Sequence, residues 1–406
     1  MKIAIIGAGP SGMSAALQAA WQGASVTLLE RNPAVGKKLL VTGSGRCNLT
    51  NQGVSAGRYI CAEERWMGDL LARFGVEDLL AFLRSIGVVT THTSDGWYYP
   101  ISDSAQTVVD AFSSALATAG VELHTGVQVL DALHQGDGFQ LSCLWDGSPR
   151  QMACDRLIVA AGGKASPHLG SKGELFPALE KFGHTVIPLR PALAPVLADL
   201  GDWKALQGVR LDAAVTLWDG RRELARTAGN MIVTEWGLNG PAVMDLSHAV
   251  DPSGQRRQEL SIHLLHFFED DCLDLLRSNR TGEMAVRVWL GAFLPPKVVR
   301  LYLRLAGVSE TASLRQTSDG QIDRLLGLLR DTRLPVRGLR GFEYCQVSAG
   351  GVPVREVDAA TLQSTRVRGL YLVGETLDVV GPCGGYNLHY AFASGALAGR
   401  ASAGQS

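Results

Sequence analysis

A stretch of thirty residues at the head of this chain constrains its fold more than anything that follows. Lys2–Ile6 is an apolar run of strand length, Gly7, Gly9 and Gly12 make G-x-G-x-x-G, residues 11–22 are alanine-rich and helix-prone, and Ser25–Leu29 is a second apolar run closed by Glu30. Strand, glycine turn, helix, strand and terminal acid together specify a βαβ unit built around a dinucleotide. Each glycine has its own task there. Gly7 lets the chain turn off the strand, Gly9 lets backbone approach a pyrophosphate, and Gly12 lets the helix pack against the sheet. The helix start, with Pro10 and Ser11, offers N–H groups and a partial positive charge to a dianion. Glu30, with Arg31 beside it, is placed to accept hydrogen bonds from a ribose 2′-OH and would repel a 2′-phosphate. The motif does not by itself separate FAD from NAD.

With 38 Lys and Arg against 39 Asp and Glu, the formal charge is −1, so no global basic field draws the protein to nucleic acid or anionic lipid. No apolar stretch reaches membrane-spanning length and no basic-then-apolar leader precedes the first strand, so a cytoplasmic protein with no membrane partner is expected. The seven cysteines form no C-x-x-C pair and no zinc spacing, which makes free thiols the expectation. His263 and His266 stand three apart, but no carboxylate or cysteine accompanies them at ligand spacing. They read as two histidines on a helix edge, with no metal.

Residues 33–51 are too rich in glycine and polar groups for a regular element and read as a ligand-holding loop. Residues 63–86 and 103–119 have helical apolar spacing, while 121–133 and 139–145 alternate as strands around Gly136-Asp-Gly138. Residues 156–161 read as a buried parallel strand stopped by Gly162-Gly163. Beyond Pro188 the character changes. Short β-like runs at 209–218 and 224–233 suggest a small sheet or barrel, and 264–331 is leucine-rich and helical, interrupted at Pro295-Pro296. Near Gly341 an α/β pattern returns.

That return is what selects FAD. Gly369-Leu-Tyr-Leu-Val-Gly374-Glu375 is an apolar strand ending in an acid, and Gly384-Gly385-Tyr386-Asn387-Leu388 opens a helix shortly after it, some 360 residues from the first motif. A nicotinamide site has no need of a second constellation. A flavin with a ribityl chain does: Glu375 can hold ribityl hydroxyls while N–H groups at 385–388 face the N1 and O2 edge, where negative charge gathers on reduction.

Four blocks, Gly43-Ser-Gly45-Arg46-Cys47-Asn48-Leu-Thr-Asn51, Gly237-Leu-Asn-Gly-Pro241, Ala349-Gly-Gly351 and Gly384-Gly-Tyr-Asn-Leu388, arranged in this order, resemble the BaiN/RdsA family of FAD-dependent oxidoreductases. The resemblance covers nearly the whole length. It implies an α/β fold with a Rossmann-like FAD domain in two segments (1–190 and 342–406), an inserted β-barrel (191–263 and 332–341) and a helical subdomain (264–331). Family members are linked to bile-acid dehydroxylation and to aminoacetone oxidation. The chain departs from the family pattern at Glu235 (commonly His), Asn239 (Ser), Cys383 (Thr) and His389 (Gln).

Lys38 and Arg46 either neutralise the pyrophosphate or approach the pyrimidine edge, with solvated surface charge the bland alternative. Cys47 reads as a buried thiol, reactive only if Arg46 or a helix start stabilises its thiolate. Gly45 and Asn48 complete the loop, Ala161 and Gly162 end a cofactor-facing strand, and Val129 resembles the position where related folds hold adenine through main-chain groups. Trp97-Tyr-Tyr-Pro100 is either pocket wall or core, and Arg330, Arg333, Arg337 and Arg340 are a solvated face unless they meet a substrate carboxylate or RNA. His389, Tyr386 and Glu235 are the candidates for a general base. The leading expectation is hydride exchange between a small organic substrate and flavin N5 in a cleft between FAD domain and insert, such as amine oxidation of the aminoacetone type, with NAD(P)H or oxygen as redox partner. The rivals are reduction of an activated C=C of steroid type, a flavin-dependent RNA modification, and a non-catalytic role for FAD.

Overall fold

A computed structural model describes residues 1–404. The chain forms two compact units, Met1–Arg190 with Cys345–Ser406, and Pro191–Tyr344. In the first, five parallel strands lie in the order Leu370–Leu372, Arg156–Val159, β1 (Lys2–Ile6), β2 (Ser25–Leu29) and Glu122–His124. Ile3, Ala4, Ile5 and Ile6 are all buried, because the central strand of a parallel sheet is covered on both faces and has no polar side to alternate with.

Helix α1 (Pro10–Trp21) and the final helix, Tyr386–Ala403, pack against each other at backbone distance. A methyl group added at Gly395 would lie 2.1 Å from the Ser11 carbonyl oxygen, and one at Gly399 2.3 Å from that of Ala15. This crossing fixes the start of one helix relative to the other. Ser14 Oγ donates to the Phe392 carbonyl across it at 2.8 Å.

Three expectations are corrected in this unit. The single strand expected over 121–133 is two: Glu122–His124 ends the parallel sheet, Gly126 turns the chain at φ 72°, and Val127–Gln135 enters an antiparallel sheet with Gly138–Trp145 and Ser148–Cys154. Alternation of apolar residues continues through such a turn, so periodicity alone cannot place it. The helical spacing at 63–86 is broken into Glu64–Leu71 and Val76–Ser85, with Asp78 accepting from the Gly75 N–H to start the second helix. The loop 33–51 also contains a short helix, Lys37–Leu40, entered through Gly36 at φ 67°.

The second unit is a closed six-stranded barrel in the order Val196–Ala198, Gly237–Asn239, Arg222–Val233, Arg210–Asp219, Gln258–His263 and Thr332–Leu339, with helices Glu269–Asn279, Val286–Gly291, Pro296–Ala306 and Asp319–Arg330. Pro296 begins a helix rather than interrupting one, as a residue without a bondable N–H can at a first helical position. His263 ends a strand and does not share a helix with His266; Glu269 lies 3.1 Å from its Nε2. On Thr332–Leu339 alternation turns Leu334 and Val336 inward and Arg333 and Arg337 outward. Among the described residues no helix is long and apolar enough to cross a membrane.

Candidate functional site

The three glycines of the first motif have three different surroundings. Gly7 sits at φ 100°, and a methyl there would lie 2.5 Å from the Ala160 carbonyl oxygen. One at Gly12 would lie 1.8 Å from the Gly7 carbonyl oxygen, whereas one at Gly9 would meet no protein atom within 4 Å. Gly9 precedes α1, whose first turn has no side-chain cap and no acidic residue. An uncapped twelve-residue helix start beside open space is the arrangement an anion needs. Ser11 is buried, with its hydroxyl turned to Gly374: a methyl there would lie 2.8 Å from Ser11 Oγ.

Glu30 is nearly enclosed and its carboxylate accepts three N–H groups at 2.8 Å, from Ala8 N, Asn32 N and Asn32 Nδ2. A carboxylate has about four acceptor positions, so one remains for a ribose hydroxyl. Arg31 turns away, pairing with Glu174 at 2.6 Å and donating to Gly170 O; it tethers the 166–174 loop and makes no contact with Glu30. Val129 is buried in its strand, two residues past Val127, whose N–H donates to the Glu30 carbonyl. Ala161 and Gly162 follow the strand Arg156–Val159, with Gly162 at φ 75°.

The two most distinctive motif blocks meet. Asn51 Nδ2 donates to the Gly384 carbonyl (3.0 Å), Thr50 Oγ1 bonds His389 Nδ1 (2.9 Å), and the Tyr386 hydroxyl donates to Asn51 Oδ1 (3.3 Å). Asn48 turns its amide nitrogen to the carbonyls of Thr50 and Tyr98. Gly384 and Gly385 have φ 107° and 96°; a methyl on the first would lie 3.0 Å from the Trp97 ring and on the second 2.5 Å from the Thr50 carbonyl oxygen. Trp97 thus walls the start of the final helix, which is uncapped by any side chain. The Asn387 side chain holds Gly381 N, Gly381 O and Pro382 O, and Leu388 packs on the core, so the side chains at 386–388 build the loop and only backbone is left to face a ligand.

Around Glu375 four segments converge. Its Oε1 accepts from Ser348 N (2.8 Å) and Ser348 Oγ (3.0 Å), and its Oε2 pairs with Lys38 Nζ at 2.5 Å. Sequence reading missed Ser348, although it precedes the Ala349-Gly-Gly351 block. Gly374 N donates to Ser394 Oγ of the final helix. Arg46 does not join this cluster. Its guanidinium stacks on the Tyr99 ring at 4.4 Å, near Asp103, and the side chain is half exposed. Gly43, Ser44, Gly45 and Cys47 all have positive φ, which explains why the loop needs glycine at two of the four places.

Cys47 is fully enclosed, and burial pushes its thiol up to about 12, with only a Thr42 hydrogen bond opposing. The thiolate reading is therefore set aside. Native protein should leave Cys47 unmodified by iodoacetamide at neutral pH, with alkylation only after unfolding, as peptide mass spectrometry would report.

His389 is not positioned as a base. It is 0 % exposed, its Nδ1 is held by Thr50, and burial lowers its pKa to about 4. Its folded-state pKa lies below the unfolded value near 6.5, so the unfolded chain binds more protons between the two. Stability is full above pH 6.5 and falls as pH drops towards 4, by on the order of 3 kcal/mol. Thermal melts across this range should show a shallower slope in His389→Gln than in wild type. Tyr386 is buried too, with its carbonyl accepting from Tyr59. Glu235 occupies an exposed turn of the second unit, between Arg222–Val233 and Gly237–Asn239. The arginine cluster is paired: Arg330 with Glu269, Arg333 with Asp331 and Arg337 with Asp199, while Arg340 stacks between Trp236 and Tyr344.

These residues fit FAD: open space at Gly9, two uncapped helix starts, a spare acceptor position on Glu30 and a carboxylate at Glu375. The HI0933-like protein Rossmann domain matches residues 1–401. The chain belongs to this family. It is the family that the four sequence blocks pointed to, and membership makes the protein an FAD-dependent oxidoreductase. The chain is 35 % identical to the 3-dehydro-bile acid delta(4,6)-reductase of Clostridium scindens, over 99 % of both chains. It is 30 % identical to the ribosomal RNA dihydrouridine synthase of Escherichia coli, over 96 % of this chain and 95 % of the other. Among solved structures, the 3-ketosteroid-delta4-(5alpha)-dehydrogenase of Rhodococcus jostii has the same fold, with a TM-score of 0.53 at 14 % identity over 99 % of this chain and 96 % of that one.

Proposed function

We propose that the protein is an FAD-dependent reductase of a small molecule, saturating a C=C bond conjugated to a carbonyl. One observation carries this reading: two whole-length relatives with unlike substrates, a bile acid and ribosomal RNA, are both named for saturating such a bond. What unlike substrates share is the bond changed.

In this reading the α1 start, with Gly9, Pro10, Ser11 and Gly12, takes the pyrophosphate, Glu30 a ribose hydroxyl, Val129 the adenine edge through its main chain, Glu375 a ribityl hydroxyl, and the 385–388 backbone the pyrimidine edge. FAD, when bound, supplies the hydride. The chain's own contribution is preorganisation: Asn51, Tyr386 and Asn387 lock the helix start through their side chains, so its N–H dipoles are fixed before charge develops in front of them. His389 is enclosed and neutral, so it neither takes a proton from a substrate nor supplies one, and the proton that completes the saturated bond comes from solvent. A small substrate is favoured over RNA because Arg330, Arg333 and Arg337 already face carboxylates and the formal charge is −1.

The test is an anaerobic panel monitored through flavin absorbance. A 4-en-3-one steroid should reoxidise photoreduced holoenzyme, while aminoacetone and other primary amines leave the oxidised enzyme yellow. Bleaching by an amine together with inertness to every enone would overturn the proposal, and reoxidation by unmodified ribosomal RNA alone would replace the small substrate with RNA.

A further inference from the structure

Lys38 and Glu375 are 337 residues apart in sequence, yet their side chains meet at 2.5 Å, each about one-fifth exposed. Both are anchored to the cofactor-facing constellations. Lys38 is delivered by the left-handed turn at Gly36, whose N–H donates at 2.9 Å to the carbonyl of Ala8, the residue before the open Gly9. Glu375 follows Gly374, which is packed on Ser11 at the start of α1 and bonded to Ser394 of the final helix. The fourth segment leaves no room for anything larger: a methyl on Gly163 would lie 1.9 Å from Ser348 Oγ and 3.1 Å from Glu375 Oε1.

From this geometry we infer that Lys38 is a positioning residue that acts through Glu375, clasping the N-terminal pyrophosphate loop to the C-terminal flavin constellation. The chemistry is specific. Glu375 Oε1 is used twice by Ser348 and Oε2 once by Lys38, which leaves one acceptor position of about four, on Oε2, directed by the ion pair. The ammonium also neutralises the carboxylate. Without it, an uncompensated carboxylate would be held in a partly enclosed site at the flavin end of the cofactor, with its free acceptor position no longer directed. Lys38 thus matters to the cofactor because Glu375 is charged. A lysine that simply bound phosphate would matter whether or not Glu375 were there.

The test is a double-mutant cycle read by FAD release from diluted holoenzyme, with ADP affinity of the flavin-stripped protein measured beside it. Lys38→Met should speed FAD release by about tenfold or more, since it leaves a largely buried carboxylate without its cation. Lys38→Arg should stay within about threefold of wild type, because the guanidinium keeps the charge. Glu375→Gln should cost less than Lys38→Met. The double variant Lys38→Met with Glu375→Gln should match Glu375→Gln within about threefold, recovering most of what the lysine substitution lost. ADP affinity should stay level through the series, because a folding defect would weaken both ligands and a clasp defect only FAD. Additive losses in the double variant, or unchanged FAD release in Lys38→Met, would overturn the inference.

Discussion

Gly9→Val should give a protein that folds, melts close to the wild-type stripped of flavin, and carries no FAD. The backbone at Gly9 is extended, at φ −79° and ψ −175°, so a β-branched residue fits it without strain. Chain neighbours apart, no protein atom lies within 4 Å of the position its Cβ would take, so the side chain starts out into open space. The stability change should be within about 1 kcal/mol. What the side chain fills is the space in front of the α1 start, which the proposed reading gives to the pyrophosphate. Absorbance at the flavin band and thermal melting, measured on one preparation, separate the two effects. A yellow variant would mean that the pyrophosphate lies elsewhere.

Gly395→Val should do the opposite and remove the fold itself. The crossing of α1 and the final helix brings Gly395 so close that a methyl would stand 2.1 Å from the Ser11 carbonyl oxygen and 2.8 Å from its carbon. Backbone cannot yield as a side-chain tip can, so the helices must separate, at a cost of about 3 kcal/mol or more. That separation would also displace the two helix starts proposed to hold FAD. Gly327→Ala is the contrasting control: Gly327 is exposed inside helix Asp319–Arg330 with nothing within 4 Å, and alanine there should stabilise by about 0.5 to 1 kcal/mol. Chemical denaturation curves of the two variants check both signs.

Much of the fold is legible in residues whose local physics points one way. A buried parallel strand must be apolar throughout, so Lys2–Ile6 and the strand within 156–161 stand out, and a tight turn onto a helix needs glycine, so Gly7 and Gly385 stand out too. The partners of side chains are another matter. That Glu30 already accepts three N–H groups, that Asn387 closes the 381–382 loop, and that Lys38 reaches Glu375 all depend on which segments tertiary packing brings together. No spacing rule encodes a 337-residue contact. His389 shows the same limit. A histidine directly after a glycine-rich helix start resembles a base in sequence, but the helix turns its fourth residue inward against Thr50. The split at Gly126 escaped because alternation reads the same on both sides of a turn.

The most direct test of the proposed chemistry is the product of a single turnover. Holoenzyme photoreduced under nitrogen is mixed with one equivalent of a 4-en-3-one steroid, and the steroid is recovered for mass spectrometry. The predicted result is a saturated ketone heavier by two hydrogens, one delivered as hydride by the reduced cofactor and one as a proton from solvent, formed in step with return of the yellow flavin. In deuterated water both should appear as deuterium, one at the β-carbon, because the hydrogen carried by the reduced flavin exchanges with solvent, and one next to the carbonyl. Recovery of the enone unchanged while the flavin stays reduced, with the same enzyme bleached by an amine in its oxidised form, would contradict it.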